Sequence, residues 1–157
     1  MSSPSLKALA SRFYRLHARL VANAYPEPGP GVVEAKKRLS QGRSFSGIER
    51  VGNSYHYVLS ERGQEFERRV TEDSDRILYW LIADLTFSAA TVYELHNRRA
   101  DQDCRRQIFA EQQRLLGLLR PDWEDEMREE TAEILNRAPF NDGLLGNLKS
   151  FLRELKS

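Results

Sequence analysis

Histidines are the side chains in this sequence best suited to acid–base chemistry near neutral pH. His17, His56 and His96 lie far apart along the chain and on different predicted elements. His56, between two tyrosines on a predicted strand, is the best single candidate for proton transfer, although a packing or surface histidine is commoner at such a position. The chain contains no HExxH, P-loop or GxGxxG motif, so spacing assigns no catalytic residue.

A second polar group lies where one predicted helix ends and the next begins. Within it, Glu94 and Arg98 are four residues apart and Asp103 and Arg106 are three apart, which are the spacings of ion pairs on a helix. We therefore interpret the group as an ion-pair network joining the two helices. The alternative is a small enzyme or ligand-binding site. In it, His56 would work with the glutamate and the three arginines of this group, Glu94, Arg98, Arg105 and Arg106. This polar cluster comprises Tyr93, Glu94, Arg98, Asp103, Arg105 and Arg106.

Three aspartates at the start of, and within, an apolar helix predicted over about 74–98 are the nearest thing to a metal-ligand set. They are Asp73, Asp75 and Asp84. Acids at the start of a helix usually cap it and interact with its dipole, so this interpretation is preferred to metal binding. We predict neither a metal nor another cofactor.

Acidic residues are concentrated in one short stretch near the end of the chain. Between Asp122 and Leu135 seven acids face one arginine, a net charge of −6, whereas residues 1–50 carry nine Lys/Arg and three Glu, a net charge of +6. Such a stretch is usually a solvated face, but it could dock on a basic partner through charge complementarity. The residues predicted to contribute are Asp122, Glu124, Asp125, Glu126, Glu129, Glu130 and Glu133.

Length and composition indicate one soluble domain. The chain has 157 residues, 30% of them charged, and no uncharged apolar run long enough to cross a membrane. The single cysteine, Cys104, excludes an internal disulfide and fits a reducing compartment. With no secretory signal at the N-terminus, we expect a cytoplasmic protein without membrane association. The overall charge of +1 gives no global attraction to nucleic acid.

Apolar spacing and turn residues indicate the elements that position these side chains. An amphipathic helix is predicted over about 4–23, followed by a Pro/Gly-rich loop to residue 31. Period-two alternation then predicts three strands within 47–71, joined at Gly52-Asn53 and Arg62-Gly63. Three consecutive strands without intervening helices imply an antiparallel meander.

The remainder of the chain is predicted to be helical. Residues 74–98 are apolar nearly all round, which predicts a central buried helix. Further helices are predicted at about 101–119, 122–137 and 144–155. We therefore predict an α+β fold in which a three-stranded antiparallel meander packs on a central buried helix with several flanking helices. The single domain would comprise the N-terminal helix and loop (1–31), the meander (47–71), a helical part (74–142) and a C-terminal helix (143–157).

Several motifs between residues 55 and 142 occur in a recognisable order. They include Tyr55-His56-Tyr57, Glu61-Arg62-Gly63, Leu78-Tyr79-Trp80, Tyr93-Glu94, Asp103-x-Arg105-Arg106, Pro121-x-Trp123 and Pro139-Phe140-x-Asp142. This series resembles the bacterial immunity protein 63 family. Members of that family are predicted partners of polymorphic toxins, and they protect the producing cell by binding the toxin domain.

The resemblance implies a cytoplasmic inhibitor of a toxin, as in contact-dependent inhibition, with no catalysis of its own. It does not identify the toxin-binding face. If the toxin is a nuclease with a basic active site, the acidic stretch would suit it. If the toxin has another activity, the basic N-terminal third could be the contact instead. A nucleic-acid binder acting through the basic N-terminal helix is a further alternative.

Overall fold

The computed structural model describes residues 3–41 and 47–143. Within these ranges the chain forms five helices and one three-stranded sheet, which confirms the predicted α+β class. The elements are α1 (Leu6–Asn23), α2 (Val32–Ser40), β1 (Ile48–Val51), β2 (Ser54–Glu61), β3 (Gln64–Thr71), α3 (Ser74–His96), α4 (Arg105–Gly117) and α5 (Pro121–Arg137). The helix predicted at the C-terminus, over residues 144–155, lies outside the described residues.

The sheet is the predicted antiparallel meander, in the order β1-β2-β3. Its second turn is made by Arg62 and Gly63, whose φ angles of 52° and 80° are the positive values that a type I′ hairpin requires. Alternation along β2 then gives the sheet two different faces. Tyr55 and Tyr57 are buried on the face toward α3, and His56 points to the opposite face.

Helix α3 is the central element of the fold. Asp73 caps its N-terminus by accepting a hydrogen bond of 2.8 Å from the backbone N–H of Asp75. The sheet, α1, α2 and α4 all pack against it, which buries most of its apolar side chains. The prediction of a buried helix fails only on one face of its C-terminal half, where Phe87 and Leu95 are 47% and 55% exposed.

The N-terminal helices belong to the same hydrophobic cluster as α3. Leu9, Phe13 and Leu20 of α1 and Leu39 of α2 are at most 1% exposed, and all four are members of that cluster. Full burial of such a side chain contributes about 1.5–3 kcal/mol to folding. None of the helices within the described ranges is long and apolar enough to span a membrane.

Candidate functional site

Helix α5 carries the acidic stretch predicted as a contact surface. Pro121 occupies its first turn, and Asp122 and Glu124 follow there, where carboxylates interact favourably with the positive end of the helix dipole. Trp123, Met127 and Thr131 recur every four residues and are buried. The helix is therefore fixed by one apolar side, and its acids are distributed over the remaining surface.

Two of the acids contact side chains of α3. Arg76 of α3 forms an ion pair with Glu126, and the Tyr79 hydroxyl donates a hydrogen bond of 3.0 Å to Glu130. Burial raises the pKa of Glu130 above its ordinary value, because the charged carboxylate loses hydration there. These two contacts join α5 to α3, while the helix itself packs mainly on α4.

Four other acids form a stripe on the outward face of α5. Asp122, Asp125, Glu129 and Glu133 are spaced by three, four and four residues, which places them on one side of the helix, and all four are exposed. We call these residues the outer acidic stripe. Glu124 lies beside the buried side of the helix and is only partly exposed.

Arginines neutralise part of this charge. Arg120 pairs with Asp122 at 2.6 Å, and Arg128 pairs with Asp125 at 2.7 Å. Glu129 forms no ion pair with any described residue. Four arginines pair with members of the seven-acid set, which leaves the surface at a net charge of −3 rather than the −6 of the continuous stretch. These arginines are Arg76, Arg120, Arg128 and Arg137.

The polar cluster at the end of α3 contains one deeply buried carboxylate. Glu94 is 1% exposed and accepts two hydrogen bonds from Arg98, at 2.9 and 3.0 Å. This is the ion pair that the four-residue spacing predicts. Tyr93, the preceding residue, stacks on Tyr25 with ring centroids 6.0 Å apart. This end of the cluster therefore contributes to packing.

The other predicted pair of the cluster, Asp103 with Arg106, is wrong. Asp103 pairs with Arg105 at 2.8 Å, and Arg106 pairs with Asp142 at 2.8 Å. Asp103 precedes α4 and is not on the helix, so helical spacing does not apply to it. Arg105 also donates to the carbonyl oxygens of Ala138 and Pro139, both at 2.9 Å. The network thus joins the start of α4 to the chain that follows α5.

His56 lies apart from the polar cluster. Its Nδ1 is 2.9 Å from a guanidinium nitrogen of Arg68, on the face of the sheet turned away from α3. Of the residues that the ligand-site alternative requires beside His56, Glu94 is paired with Arg98. The arginines are engaged in the same way, with Asp103 and Asp142. The structure therefore does not assemble that alternative site.

The other candidate groups occupy separate positions. The Nε2 atom of His17 lies 2.6 Å from the carbonyl oxygen of Leu39, and His96 contacts the carbonyl oxygen of Val92 at 2.9 Å. Asp84 accepts a hydrogen bond from the Tyr57 hydroxyl. Among the described residues, no group of three or more His, Cys, Asp or Glu side chains is arranged to hold a metal ion.

Some of the basic residues of α1 form ion pairs within the fold, and others are exposed. Arg12 binds Asp75 at 2.7 Å, and Arg120 reaches the other oxygen of the same carboxylate at 2.6 Å. Burial alone would raise the pKa of Asp75, but the hydrogen bonds from Arg120 and Arg12 outweigh it and lower that pKa. Lys7 and Arg15 are exposed. The basic surface of α1 is therefore smaller than the sequence suggests.

Comparison with known proteins gives one match. The family model described as immunity protein 63 matches residues 52–133, just over half of the chain. The matched range contains β2, β3, α3, α4 and most of α5, including the outer acidic stripe, but neither α1 nor α2. No curated protein and no solved structure matches the chain.

Proposed function

Because the chain belongs to the immunity protein 63 family, we propose that it binds and neutralises a toxin domain and so protects the cell that makes it. The inhibition would be stoichiometric, in the cytoplasm, and would need neither catalysis nor a cofactor. The toxin would be one of the polymorphic toxins delivered between neighbouring cells.

The outer acidic stripe is the surface that we propose for this contact. Asp125, Glu129 and Glu133 are exposed on one side of a helix that is firmly held by its opposite side. Negative side chains on a rigid helix suit a basic protein surface, because complementary charge accelerates association and selects the partner. A nuclease has such a basic surface, since its active site must bind the phosphate backbone. Glu126 and Glu130 would contribute only by fixing α5 against α3.

Reversal of charge on the stripe tests this proposal. The variant Asp125→Lys/Glu129→Lys/Glu133→Lys would be co-expressed with the toxin domain encoded beside the gene, and its affinity would be measured by calorimetry on the catalytically inactivated toxin. We expect growth protection to be lost and the Kd to rise by about 100-fold, from the loss of complementary charge.

A matched control separates this effect from a general change of charge. The variant Glu27→Lys/Glu34→Lys/Glu61→Lys makes the same change at three exposed acids outside α5. It should protect cells as the wild type does. Unchanged affinity in the α5 variant would exclude the stripe from the contact, and failure of the wild type to bind the toxin domain would refute the function itself.

A further inference from the structure

One side of the C-terminal half of α3 is left open by the described elements. Phe87 and Leu95 are 47% and 55% exposed there, whereas Ala90, in the same turns of the helix, is fully buried. Thr91 lies between them and donates a hydrogen bond of 2.9 Å to the carbonyl oxygen of Phe87, so its hydroxyl is satisfied within the helix. Phe87, Thr91 and Leu95 are spaced by four residues and share one side of the helix. We call these three residues the open side of α3.

The described part of the chain ends beside this half of α3. After α5, Phe140 packs against a small hydrophobic cluster that contains Ala90, which precedes Thr91 on α3. Asp142 then pairs with Arg106 of α4 at 2.8 Å. The chain is therefore fixed at the level of the open side shortly before residue 143, where the described range ends.

Residues 144–157, which follow directly, lie outside the described range, and their sequence is amphipathic. Their large apolar residues recur with helical spacing and are Leu144, Leu148, Phe151, Leu152 and Leu155. A segment of this length is only marginally helical alone in water, so its apolar side chains need a surface to cover. As a helix it would span about 21 Å at 1.5 Å per residue, whereas the rise from Phe87 to Leu95 is about 12 Å. The segment is thus long enough to cover the open side of α3.

We propose that residues 144–157 dock on the open side of α3, and that their five apolar residues cover Phe87 and Leu95. The segment starts next to a point of the chain that is held at that level, so docking benefits from an effective concentration on the order of millimolar. A second copy or another protein has no such advantage. The inference does not depend on the proposed function. It assigns the open side of α3 to the fold, and it leaves the outer acidic stripe of α5 as the surface for the toxin.

Photo-crosslinking of the full chain identifies the occupant. With p-benzoylphenylalanine at position 87, the purified protein should form an intramolecular crosslink to a peptide from residues 144–157, in a product of monomer mass. The same probe in place of Phe66, a side chain 65% exposed on the sheet, should give no crosslink to that segment. A crosslink from position 87 to a second copy, or none to residues 144–157, would overturn the inference.

Thiol accessibility measures the docking without a crosslinker. In the variant Cys104→Ser/Leu95→Cys, the only thiol of the chain lies on the open side of α3. Adding Leu152→Ser should raise its rate of reaction with a chromogenic disulfide reagent about tenfold, because burial of one leucine shifts the docking equilibrium by at least that factor. Arg153→Ser is the matched control in the same segment and should leave the rate unchanged. Equal rates with Leu152→Ser and Arg153→Ser would contradict docking through the apolar residues.

Discussion

At the level of single residues, Glu94 is a buried carboxylate that depends on one ion-pair partner, Arg98. Its carboxylate is buried, and Arg98 supplies both of its side-chain hydrogen bonds. Removing the partner of a buried charge leaves that charge without compensation, which is more costly than the pair itself is stabilising. Arg98 is 50% exposed, so water can replace part of the guanidinium.

We therefore expect Arg98→Ala to lower the free energy of unfolding by about 2 kcal/mol, measured by urea denaturation. Arg99→Ala is the control, because Arg99 is exposed and lies 3.8 Å from its partner Asp101. It should cost about 0.5 kcal/mol or less. Equal losses in the two variants would mean that burial of Glu94 does not determine the effect.

Sequence spacing predicts contacts within a helix but not those between distant segments. The Glu94–Arg98 pair follows from positions four apart on one helix. The partner of Arg106 is Asp142, which reaches it only because the chain returns after α5. Which acids of α5 contact the rest of the fold could be predicted in part from the sequence. Glu126 lies three residues after the buried Trp123, and Glu130 lies three residues after the buried Met127.

At the level of elements, aspartates that join separate segments make stability depend on pH. Hydrogen bonds from Arg105 and Arg106 lower the pKa values of Asp103 and Asp142 below their ordinary range. A carboxyl group with a lower pKa in the folded state stabilises the fold above its unfolded pKa of about 3.9, and this contribution is lost as the pH falls toward the folded value. The connection of α4 to the chain after α5 should therefore weaken in acid.

We expect the free energy of unfolding to fall as the pH is lowered from about 5 to about 2, because the lowered pKa values make the unfolded chain bind protons first. Asp142→Asn should reduce that slope, measured by urea denaturation across the pH range at constant ionic strength. Asp101→Asn, at an exposed position with only a long contact to Arg99, should leave the slope unchanged. If Asp142→Asn retains the full slope, the acid sensitivity arises elsewhere.

Element types were predictable because their signals are local. Period-two alternation and the Arg62-Gly63 turn indicate the hairpin of β2 and β3 without any knowledge of the rest of the chain. The exposed face of α3 was not predictable. An apolar residue such as Phe87 gives the same sequence pattern whether its side chain is buried in the core or exposed, so only the structure distinguishes these two environments.

At the level of the whole molecule, the main hydrophobic cluster extends beyond the residues that the family model matches. Residues 52–133 exclude α1 and α2, yet Leu9, Phe13 and Leu39 from these helices are among the most buried side chains. Ion pairs also connect α1 to the family-matched part of the chain, because Asp75 binds both Arg12 of α1 and Arg120, which precedes α5. The N-terminal region therefore supports the surface on which we place the toxin contact.

To test whether the family-matched part of the chain depends on α1, one buried side chain of α1 is removed and unfolding is followed at Trp80 in α3 and Trp123 in α5. Phe13 is 1% exposed, and its replacement by alanine should cost about 3–5 kcal/mol, the range for loss of a buried aromatic ring. One cluster contains both Phe13 and Trp123, and Trp80 packs against it. The tryptophan fluorescence change, which reports on Trp80 and Trp123, and the loss of helical circular dichroism should therefore shift together along the urea axis. Val33→Ala, at a position 75% exposed on α2, should shift neither signal appreciably. If Phe13→Ala separates the two transitions, α1 unfolds independently, and the family-matched part of the chain does not need it.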